Sequence, residues 1–491
     1  MAEVVQSGDV IETDVLVIGF GGAGASAAIE AHDAGAQVVI LEKMPQPGGN
    51  TRLSNCSWFS PPAGSEQNAI EHIDALCLGR TDRDVIEAYV KSAATTKTWI
   101  EGLGGTPKVT HFLSVRYPQV THPSWPAFPG SSAMINQTVM SPRDSEPNGE
   151  RLFMLLHDNV EKRGIKAITG APAKELLTND HGDVVGAVAE RDGKTITIRA
   201  RRAVVLTSGG FEFNDEMKER YLPITPFYGI GNPGNTGDGI TMAEKIGADL
   251  WHMNVVVGSF GILTKDYYAP FSINYPSPRF IYVNKQGKRF TNETGWETHF
   301  AWQSLIAFDP KKPGFPTLPV YGICDKEGLL KGTLHAGTAG GGRSYKWSPD
   351  NSAEVAKGWI IEGKTIADLA QKISMDPAVL EKTISKYGDY CGSGNDPDFH
   401  RSKETLQPLA TPPYYAVEMW PRMVNTMGGP RRDGQARVLN KSGEPIGRLY
   451  SAGELGSLWG HLYCGGGNVG EALAVGRIAG RNAAAEAPLN S

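Results

Sequence analysis

The chain has 491 residues, a formal net charge of −5, 40% hydrophobic residues and 59 glycines. This composition is that of a folded globular protein and excludes a disordered or collagen-like chain. The sequence lacks the basic clusters of a nucleic-acid-binding protein, and its five cysteines show none of the usual spacings of metal or haem ligands. At the average usage of roughly 7%, this length would hold about 34 glycines, so the excess of glycine calls for an explanation.

The amino terminus predicts a cytoplasmic protein. It shows no basic segment followed by an apolar one, as a secretory signal would require. No apolar run approaches the roughly 18 residues of a membrane-spanning helix, so no membrane span is expected. Scattered cysteines in odd number are typical of reduced thiols in the cytoplasm.

The first motif lies near the amino terminus. Residues 13–18 are apolar and β-branched and predict a strand, which a glycine turn with G-x-G-x-x-G spacing follows. An alanine-rich helix and a second strand at residues 37–41 come next, and that strand ends at Glu42. This order predicts a dinucleotide site, with phosphates at the helix N-terminus and a ribose on Glu42. The glycines of the turn are Gly19, Gly21 and Gly24.

Further glycine sites follow at the ends of predicted strands and the starts of predicted helices. Their dispersal along the chain favours one extended ligand, and a glycine pair soon after the second strand favours FAD over NAD, because the chain must pass close to the pyrophosphate and the isoalloxazine. The predicted cofactor-binding residues are Gly19, Gly21, Gly22, Ala23, Gly24, Glu42, Lys43, Gly48, Gly49, Asn50, Thr51, Ser54, Ser208, Gly209, Gly210, Asn235, Asp238, Gly453, Glu454, Gly466, Asn468 and Val469.

In this order the motifs resemble the FAD domain of the fumarate reductase/succinate dehydrogenase flavoprotein superfamily. The resemblance implies an α/β fold, in which a Rossmann-like, three-layer FAD-binding domain with a parallel sheet carries an inserted α+β cap. We expect the FAD-binding domain at residues 1–250 and 408–491 and the cap at residues 251–407. Respiratory members bind FAD covalently through a histidine near the second glycine pair. Residues 51–53 contain none, so noncovalent FAD is expected.

The chain departs from the fumarate-reducing members at three positions. Alignment on residues 466–468 puts Gly460 and Cys464 where those members have a histidine and an arginine. Residues 282–293 look like the family's cap hairpin signature, and the arginine proton donor expected after this signature is also missing from residues 294–298. Reduction of a dicarboxylate is therefore disfavoured.

Residues 463–471 look more like the stretch in which 3-ketosteroid dehydrogenases hold the ketone oxygen with a tyrosine and a backbone amide. The resemblance assigns Tyr463 and the amide of Gly467 to that oxygen, because removal of an α proton requires donors that stabilise the developing enolate. The β hydrogen would pass to flavin N5 as a hydride. Candidates for the general base are Tyr117, which ranks first, Tyr268 and Tyr282.

The sequence thus predicts an FAD-dependent dehydrogenase that introduces a C=C bond next to the carbonyl of a cyclic ketone, either a 3-ketosteroid or a smaller cyclohexanone-type ketone. The expected partners are this small molecule and an external electron acceptor. A flavin ene-reductase of an activated alkene and a non-catalytic flavoprotein are the alternatives. Residues 104–147, rich in proline and aromatic residues, are expected to form an irregular wall of the substrate pocket.

Overall fold

The computed structural model describes residues 9–110, 125–140, 148–311, 314–335 and 345–489. The strands are β1 (Asp9–Ile18), β2 (Val38–Leu41), β3 (Trp58–Phe59), β4 (Thr106–Thr110), β5 (Asn136–Met140), β6 (Lys166–Ile168), β7 (Ala173–Thr178), β8 (Val184–Arg191), β9 (Lys194–Leu206), β10 (Tyr228–Gly229), β11 (Leu250–Trp251), β12 (Val256–Ile262), β13 (Phe271–Ser272), β14 (Phe280–Val283), β15 (Val320–Asp325), β16 (Ile361–Gly363), β17 (Tyr414–Thr426), β18 (Gly429–Pro430), β19 (Arg437–Leu439) and β20 (Pro445–Ser451).

The helices alternate with these strands. They are α1 (Gly22–Asp33), α2 (Gly49–Leu53), α3 (Glu66–Cys77), α4 (Arg83–Ala94), α5 (Thr96–Gly102), α6 (Asn148–Lys162), α7 (Asp215–Tyr221), α8 (Asp238–Lys245), α9 (Lys326–Leu329), α10 (Ser352–Ala356), α11 (Ile366–Lys372), α12 (Pro377–Ser393) and α13 (Gly467–Ala485). Within the described ranges, no helix combines the length and the apolar character needed to cross a bilayer.

The first sheet has the strand order β19-β20-β9-β1-β2-β6, with β7 and β8 attached to β9. Its centre is parallel, since β1 pairs in parallel with β2 and β9, and β9 with β20. Alternate side chains of β1 enter two different cores: Val15 and Val17 pack with α1 and α13, and Leu16 and Ile18 with β7, β8 and α8. Burial on both faces is typical of a parallel sheet covered by two layers, and the predicted Rossmann-like α/β fold is confirmed.

Helices α1 and α13 cross closely on one face of this sheet. A Cβ on Gly476 or Gly480 of α13 would overlap the carbonyl oxygen of Ala23 or Ala27 in α1. Both positions therefore require glycine, and the contact fixes the start of α1, where the predicted phosphate site lies.

The second sheet has the order β13-β12-β17-β15-β14, and β10 and β16 also pair with β17. Helices α11 and α12 pack against it through a separate apolar cluster that includes Leu369, Leu380 and Ile281. The long central strand Tyr414–Thr426 pairs with β12, β15 and β16. The predicted cap boundary at residue 407 therefore does not coincide with the end of this sheet, and the division into domains remains a prediction.

Part of the predicted irregular wall at residues 104–147 is regular. Strands β4 and β5 lie in it and form a small antiparallel sheet with β3. These strands were not predicted from the sequence, because β4 is mostly exposed and shows no alternating burial. Tyr117, the first-ranked candidate for the general base, lies outside the described residues.

Candidate active site

A cavity of about 660 Å³ lies where the ends of the first sheet face the second sheet. It brings together most of the predicted cofactor-binding residues, although they are spread from residue 19 to residue 469. Those that line it are Gly19, Gly21, Gly22, Ala23, Glu42, Lys43, Gly49, Asn50, Thr51, Ser54, Ser208, Gly209, Asn235, Asp238, Gly453, Glu454, Gly466, Asn468 and Val469. The other three, Gly24, Gly48 and Gly210, pack behind this wall.

The glycine turn between β1 and α1 leaves room for a ligand at the cavity wall. Gly19 has a φ of +109°, and a Cβ on Gly24 would overlap the carbonyl oxygen of Gly19, so neither position accepts a side chain without strain. A Cβ on Gly21 would meet Gly48 O at 3.8 Å and Gly49 Cα at 3.9 Å, and would fill the gap between the two glycine turns. Such a gap beside a helix N-terminus fits the pyrophosphate of a dinucleotide.

Glu42 lies at the end of β2, as the motif requires. Its carboxylate accepts the N–H groups of Phe20 and Met44, each at 2.7 Å. Burial raises the pKa of the Glu42 carboxyl above its usual range. The side chain faces the cavity, where a ribose hydroxyl would find an acceptor.

Lys43 and Asp238 close the same side of the cavity. The Lys43 ammonium lies 2.8 Å from Asp238 Oδ2 and donates to Thr236 Oγ1 at 2.5 Å. This pair joins the end of β2 to the start of α8. Both predicted residues line the cavity, and their charges neutralise each other there.

Two carboxyls, Glu212 and Glu454, meet at the predicted flavin site, with Glu212 fully buried and Glu454 on the cavity wall. Asn50 Nδ2 donates to Glu212 Oε1 at 2.7 Å and to Glu454 Oε2 at 2.9 Å, and Asn235 Nδ2 donates to Glu212 Oε1 at 3.1 Å. Burial raises the pKa of both carboxyls, and that of Glu454 is raised further by Glu212. Glu212 was not predicted, because an acid two residues after a glycine pair has no distinctive pattern.

Tyr463 lies on the cavity wall with its side chain buried. Its phenol oxygen accepts the N–H groups of Gly466 at 3.1 Å and Asn468 at 3.4 Å. Burial raises the pKa of Tyr463 above its usual range, so the phenol keeps its proton at neutral pH. Because both contacts use its lone pairs, the hydroxyl can donate its proton to a ligand oxygen.

The turn that carries Tyr463 is held from the aromatic segment. Trp125 Nε1 donates to the carbonyl oxygen of Tyr463 at 2.8 Å, and Asn136 Nδ2 donates to that of Gly465 at 2.9 Å. These bonds link the turn before α13 to Trp125 and to β5, and they bring part of residues 104–147 to the site.

The predicted role of Gly467 is not supported by its geometry. Its N–H donates to the carbonyl oxygen of Cys464 at 2.9 Å and closes the turn that precedes α13. Gly467 also does not line the cavity, and a Cβ there would overlap the indole of Trp459. This contradicts a contact between its amide and a ligand oxygen.

The alternative bases fall in different places. Tyr282 lines the cavity, whereas Tyr268 is 54% exposed and does not.

Three functional candidates were missed by the sequence analysis: Glu297, His299 and Arg422. His299 lines the cavity, and its Nδ1 lies 2.9 Å from Oε1 of the buried Glu297. Arg422, on β17, brings a positive charge to the same cavity. An acid and a histidine two residues apart directly after the cap signature were the available signal. The arginine lies in a strand that the sequence analysis placed outside the cap.

The glycine turns and the cavity agree with the protein family that most of the sequence matches. The family model described as an FAD binding domain matches residues 14–469, and the chain belongs to this family.

Known proteins similar to this chain include both reductases and dehydrogenases. The chain is 30% identical to urocanate reductase of Eggerthella lenta, over 96% of this chain and 75% of that protein. It is 27% identical to 3-oxosteroid 1-dehydrogenase of Mycolicibacterium smegmatis, over 97% and 98% of the two chains. The fold matches that of 3-ketosteroid Δ1-dehydrogenase from Sterolibacterium denitrificans in complex with 1,4-androstadiene-3,17-dione, with a TM-score of 0.83 and 24% identity over 96% and 99%.

The protein is therefore an FAD-dependent oxidoreductase that acts on CH–CH groups. The predicted membership of the fumarate reductase/succinate dehydrogenase flavoprotein superfamily and the predicted FAD cofactor are confirmed. Noncovalent attachment of the FAD remains a prediction.

Proposed function

We propose that the protein is a dehydrogenase that introduces a C=C bond next to the carbonyl of a cyclic ketone, such as a 3-ketosteroid or a smaller cyclohexanone-type ketone. The observation that carries this proposal is the Tyr463 phenol on the cavity wall, whose oxygen accepts two backbone N–H groups. The 3-oxosteroid 1-dehydrogenase among the similar proteins supports it.

The phenol supplies what desaturation of a ketone needs first. An α proton leaves only if negative charge on the carbonyl oxygen is stabilised, and a preorganised donor in a site that excludes water does this most effectively. Acceptance of two N–H groups makes the Tyr463 hydroxyl a stronger donor, because both bonds stabilise charge on the phenol oxygen. Bound FAD supplies the acceptor for the β hydride.

The walls around Tyr463 suit a ring that is largely apolar. Phe260, Trp296 and Val424 line the cavity together with it. A cyclic ketone would bury its carbon skeleton against these side chains and present one oxygen to the phenol. We expect the electrons to leave to an external acceptor. The second G-x-G-x-x-G spacing, at residues 229–234, follows a strand of only two residues and lines this same cavity, so it offers no separate nicotinamide site.

Arg422 favours a second candidate, the reduction of an activated alkene that carries a carboxylate. Arg422 lines the same cavity, and a guanidinium has the forked geometry that carboxylates prefer. Urocanate reductase among the similar proteins supports this direction. The two candidates are one reaction type run in opposite directions.

Anaerobic titration of the purified flavoprotein separates them. We expect a saturated 3-ketosteroid or cyclohexanone to bleach the visible flavin absorbance, whereas absence of bleaching by any saturated ketone would contradict the first candidate. The chemically reduced protein is then mixed with acrylate or urocanate. Rapid reoxidation that an Arg422→Met variant loses, while it keeps reoxidation by an uncharged enone, would establish the second.

A further inference from the structure

The segment after the cap signature carries a carboxylate–imidazole pair on the cavity wall. Both oxygens of Glu297 hold His299: Oε1 lies 2.9 Å from the ring Nδ1, and Oε2 accepts the backbone N–H at 2.7 Å. Glu297 is 4% exposed, so its charge is shielded from water. The carbonyl oxygen of His299 also accepts the N–H of Gly258 in β12 at 2.7 Å. His299 is thus held in place through both its ring and its backbone.

This arrangement determines which ring nitrogen is basic. A carboxylate can only accept, so the Nδ1 that faces Glu297 carries the hydrogen in the neutral imidazole. Nε2 then holds the lone pair. A carboxylate behind a histidine also stabilises the imidazolium that forms when the ring takes a second proton.

The imidazole lies next to the group that we assign to the substrate oxygen. The rings of His299 and Tyr463 meet edge to face with their centroids 5.1 Å apart, and both side chains line the cavity. In a ketone the α carbon is bonded directly to the carbonyl carbon. A base and an oxygen-binding donor must therefore be neighbours, as these two side chains are.

We propose that His299 is the proton acceptor of the reaction and that Glu297 is its positioning residue. The inference rests on the proposed function. The α C–H bond breaks, its proton forms a bond to His299 Nε2, and its electron pair forms the enolate whose oxygen Tyr463 holds. The same electron pair then forms the C=C bond as the β hydrogen leaves with its own pair of electrons. Bound FAD would supply the two-electron acceptor for that hydride, so the ketone loses one proton and one hydride.

Single-turnover reduction of the flavin by the ketone tests His299. The variants are His299→Ala and the similarly shaped His299→Gln, each checked for bound flavin. We expect flavin content to stay at the wild-type level and the rate to fall by about 10²–10⁴-fold, the usual contribution of a general base. Added imidazole should restore part of the rate of His299→Ala. A fall of less than tenfold in both variants would overturn the proposal.

A matched control uses His461, a histidine in the turn that carries Tyr463. His461 lies two residues before Tyr463 and does not line the cavity, so His461→Gln should leave the rate within about twofold of wild type. An equal loss in His461→Gln and His299→Gln would show a general disturbance around Tyr463 and overturn the assignment.

Glu297→Gln tests the positioning role. The amide keeps the size of the side chain but can present an N–H to Nδ1, which favours the wrong tautomer. We expect kcat to fall at least tenfold with KM and flavin content unchanged, and Glu297→Asp to recover part of the loss. A change in KM alone would assign Glu297 to substrate binding and overturn the positioning role.

These results separate failure of the proposed function from failure of this inference. Bleaching of the wild-type flavin by a saturated ketone tests the function without reference to His299. Should no ketone bleach it, the same variants are measured in reoxidation by an activated alkene, where the His299 imidazolium would donate the α proton. The ratio of wild-type to variant rate then decides the role of His299 in that direction.

Discussion

The two halves of the cavity differ in what forms their walls, which is mainly backbone in one half and mainly side chains in the other. On the side of the first sheet the wall is mostly backbone, and glycines such as Gly19 and Gly21 leave a gap that a dinucleotide fits. The rest of the wall is side chains, among them Arg422 from the second sheet, His299, and Tyr463 from the turn before α13. The first half therefore recognises what FAD-dependent enzymes share, and the second half holds the groups that distinguish one substrate from another.

This comparison predicts two kinds of variant. Changes in the cofactor half should lower stability or flavin content, because the backbone there is fixed by packing. Changes in the substrate half should lower the rate with flavin retained. Variants in each half of the cavity therefore test this division.

The largest effect is expected from a buried ion pair in the cofactor half. Arg432, fully buried, pairs with Glu471 of α13 and donates to the carbonyl oxygen of Leu455 at 3.0 Å. Glu471 also accepts from Ser457 and Leu458, and so holds the strand end that carries Gly453 and Glu454. Loss of one partner leaves a buried charge uncompensated. Arg432→Met should lower the free energy of unfolding by about 3–5 kcal/mol.

Denaturant unfolding and flavin content measure this loss. The matched control is Arg83→Met, because Arg83 pairs with Asp74 and Glu87 on the surface. That change should cost little, because water screens an exposed ion pair. Similar losses in the two variants would contradict the structural role of the buried pair.

Tyr463→Phe should have the next largest effect, and on rate rather than on flavin content. Removal of one preorganised donor to a developing oxyanion typically lowers kcat by about 10²–10³-fold. The measurement is the rate of flavin reduction by ketone at equal flavin loading. Stability is followed in parallel, because the phenol oxygen also accepts two N–H groups.

The control for Tyr463→Phe is Tyr89→Phe. Tyr89 is fully buried beside Trp459, its hydroxyl bonds to no residue that the structure describes, and it does not line the cavity. Its variant should keep the wild-type rate. An unchanged rate in Tyr463→Phe would remove this residue from the chemistry and with it the main support for a ketone substrate.

The same division explains what the sequence could predict. A Cβ at Gly24 would strike the carbonyl oxygen of Gly19, so the residue type itself records the local geometry. The position of Glu212 could not be predicted from its residue type. Glu212 is joined to Glu454 through Asn50, which is 404 residues from Glu454 in the chain. His299 likewise becomes informative only when the fold brings it to Tyr463.

Gly467 shows the limit of carrying a role over from a motif. Its amide has the spacing of an oxygen-binding group, but the turn that starts α13 uses that N–H for the carbonyl oxygen of Cys464. The motif identified the turn correctly, whereas the direction of a single N–H depended on how the turn closed. The glycines predicted where the backbone passes close to a ligand, but they did not predict which acceptor a given N–H would bind.

Gly24→Ala tests whether crowding alone disables the cofactor half. The new Cβ would overlap Gly19 O and lie 2.8 Å from Thr207 Oγ1, so α1 must shift away from the sheet. Overpacking of this kind costs about 1–3 kcal/mol, and we expect FAD affinity to fall by a similar free energy. Fluorescence titration of the apoprotein with FAD measures it.

Gly388→Ala is the matched control for that change. Gly388 lies inside α12 with nothing within 4 Å of a Cβ placed there. Alanine at an uncrowded helical position should stabilise the protein by up to about 1 kcal/mol and leave FAD affinity unchanged. Equal behaviour of the two variants would show that helix propensity, not packing against Gly19, governs the site.

The smallest effect concerns the carboxyl pair of Glu212 and Glu454 and its dependence on pH. Burial raises the pKa of Glu212 in the folded protein above its value of 4.5 in the unfolded chain. Above pH 4.5 the unfolded chain therefore binds fewer protons than the folded one, and stability falls as pH rises toward the folded pKa. Glu212→Gln removes this term, so the variant should gain stability over wild type as pH rises above 4.5, and no such gain should develop below that pH.

Unfolding of the apoprotein across this pH range, with Glu381→Gln on the exposed side of α12 as control, measures the difference. Parallel pH profiles for wild type and Glu212→Gln would contradict a buried carboxyl whose charge is costly. A rising gain would show that the pair weakens the fold at neutral pH. Its benefit must then lie in what it holds, namely Asn50 and Glu454 at the cavity wall, and a loss of FAD affinity in the more stable variant would place that benefit in the cofactor half.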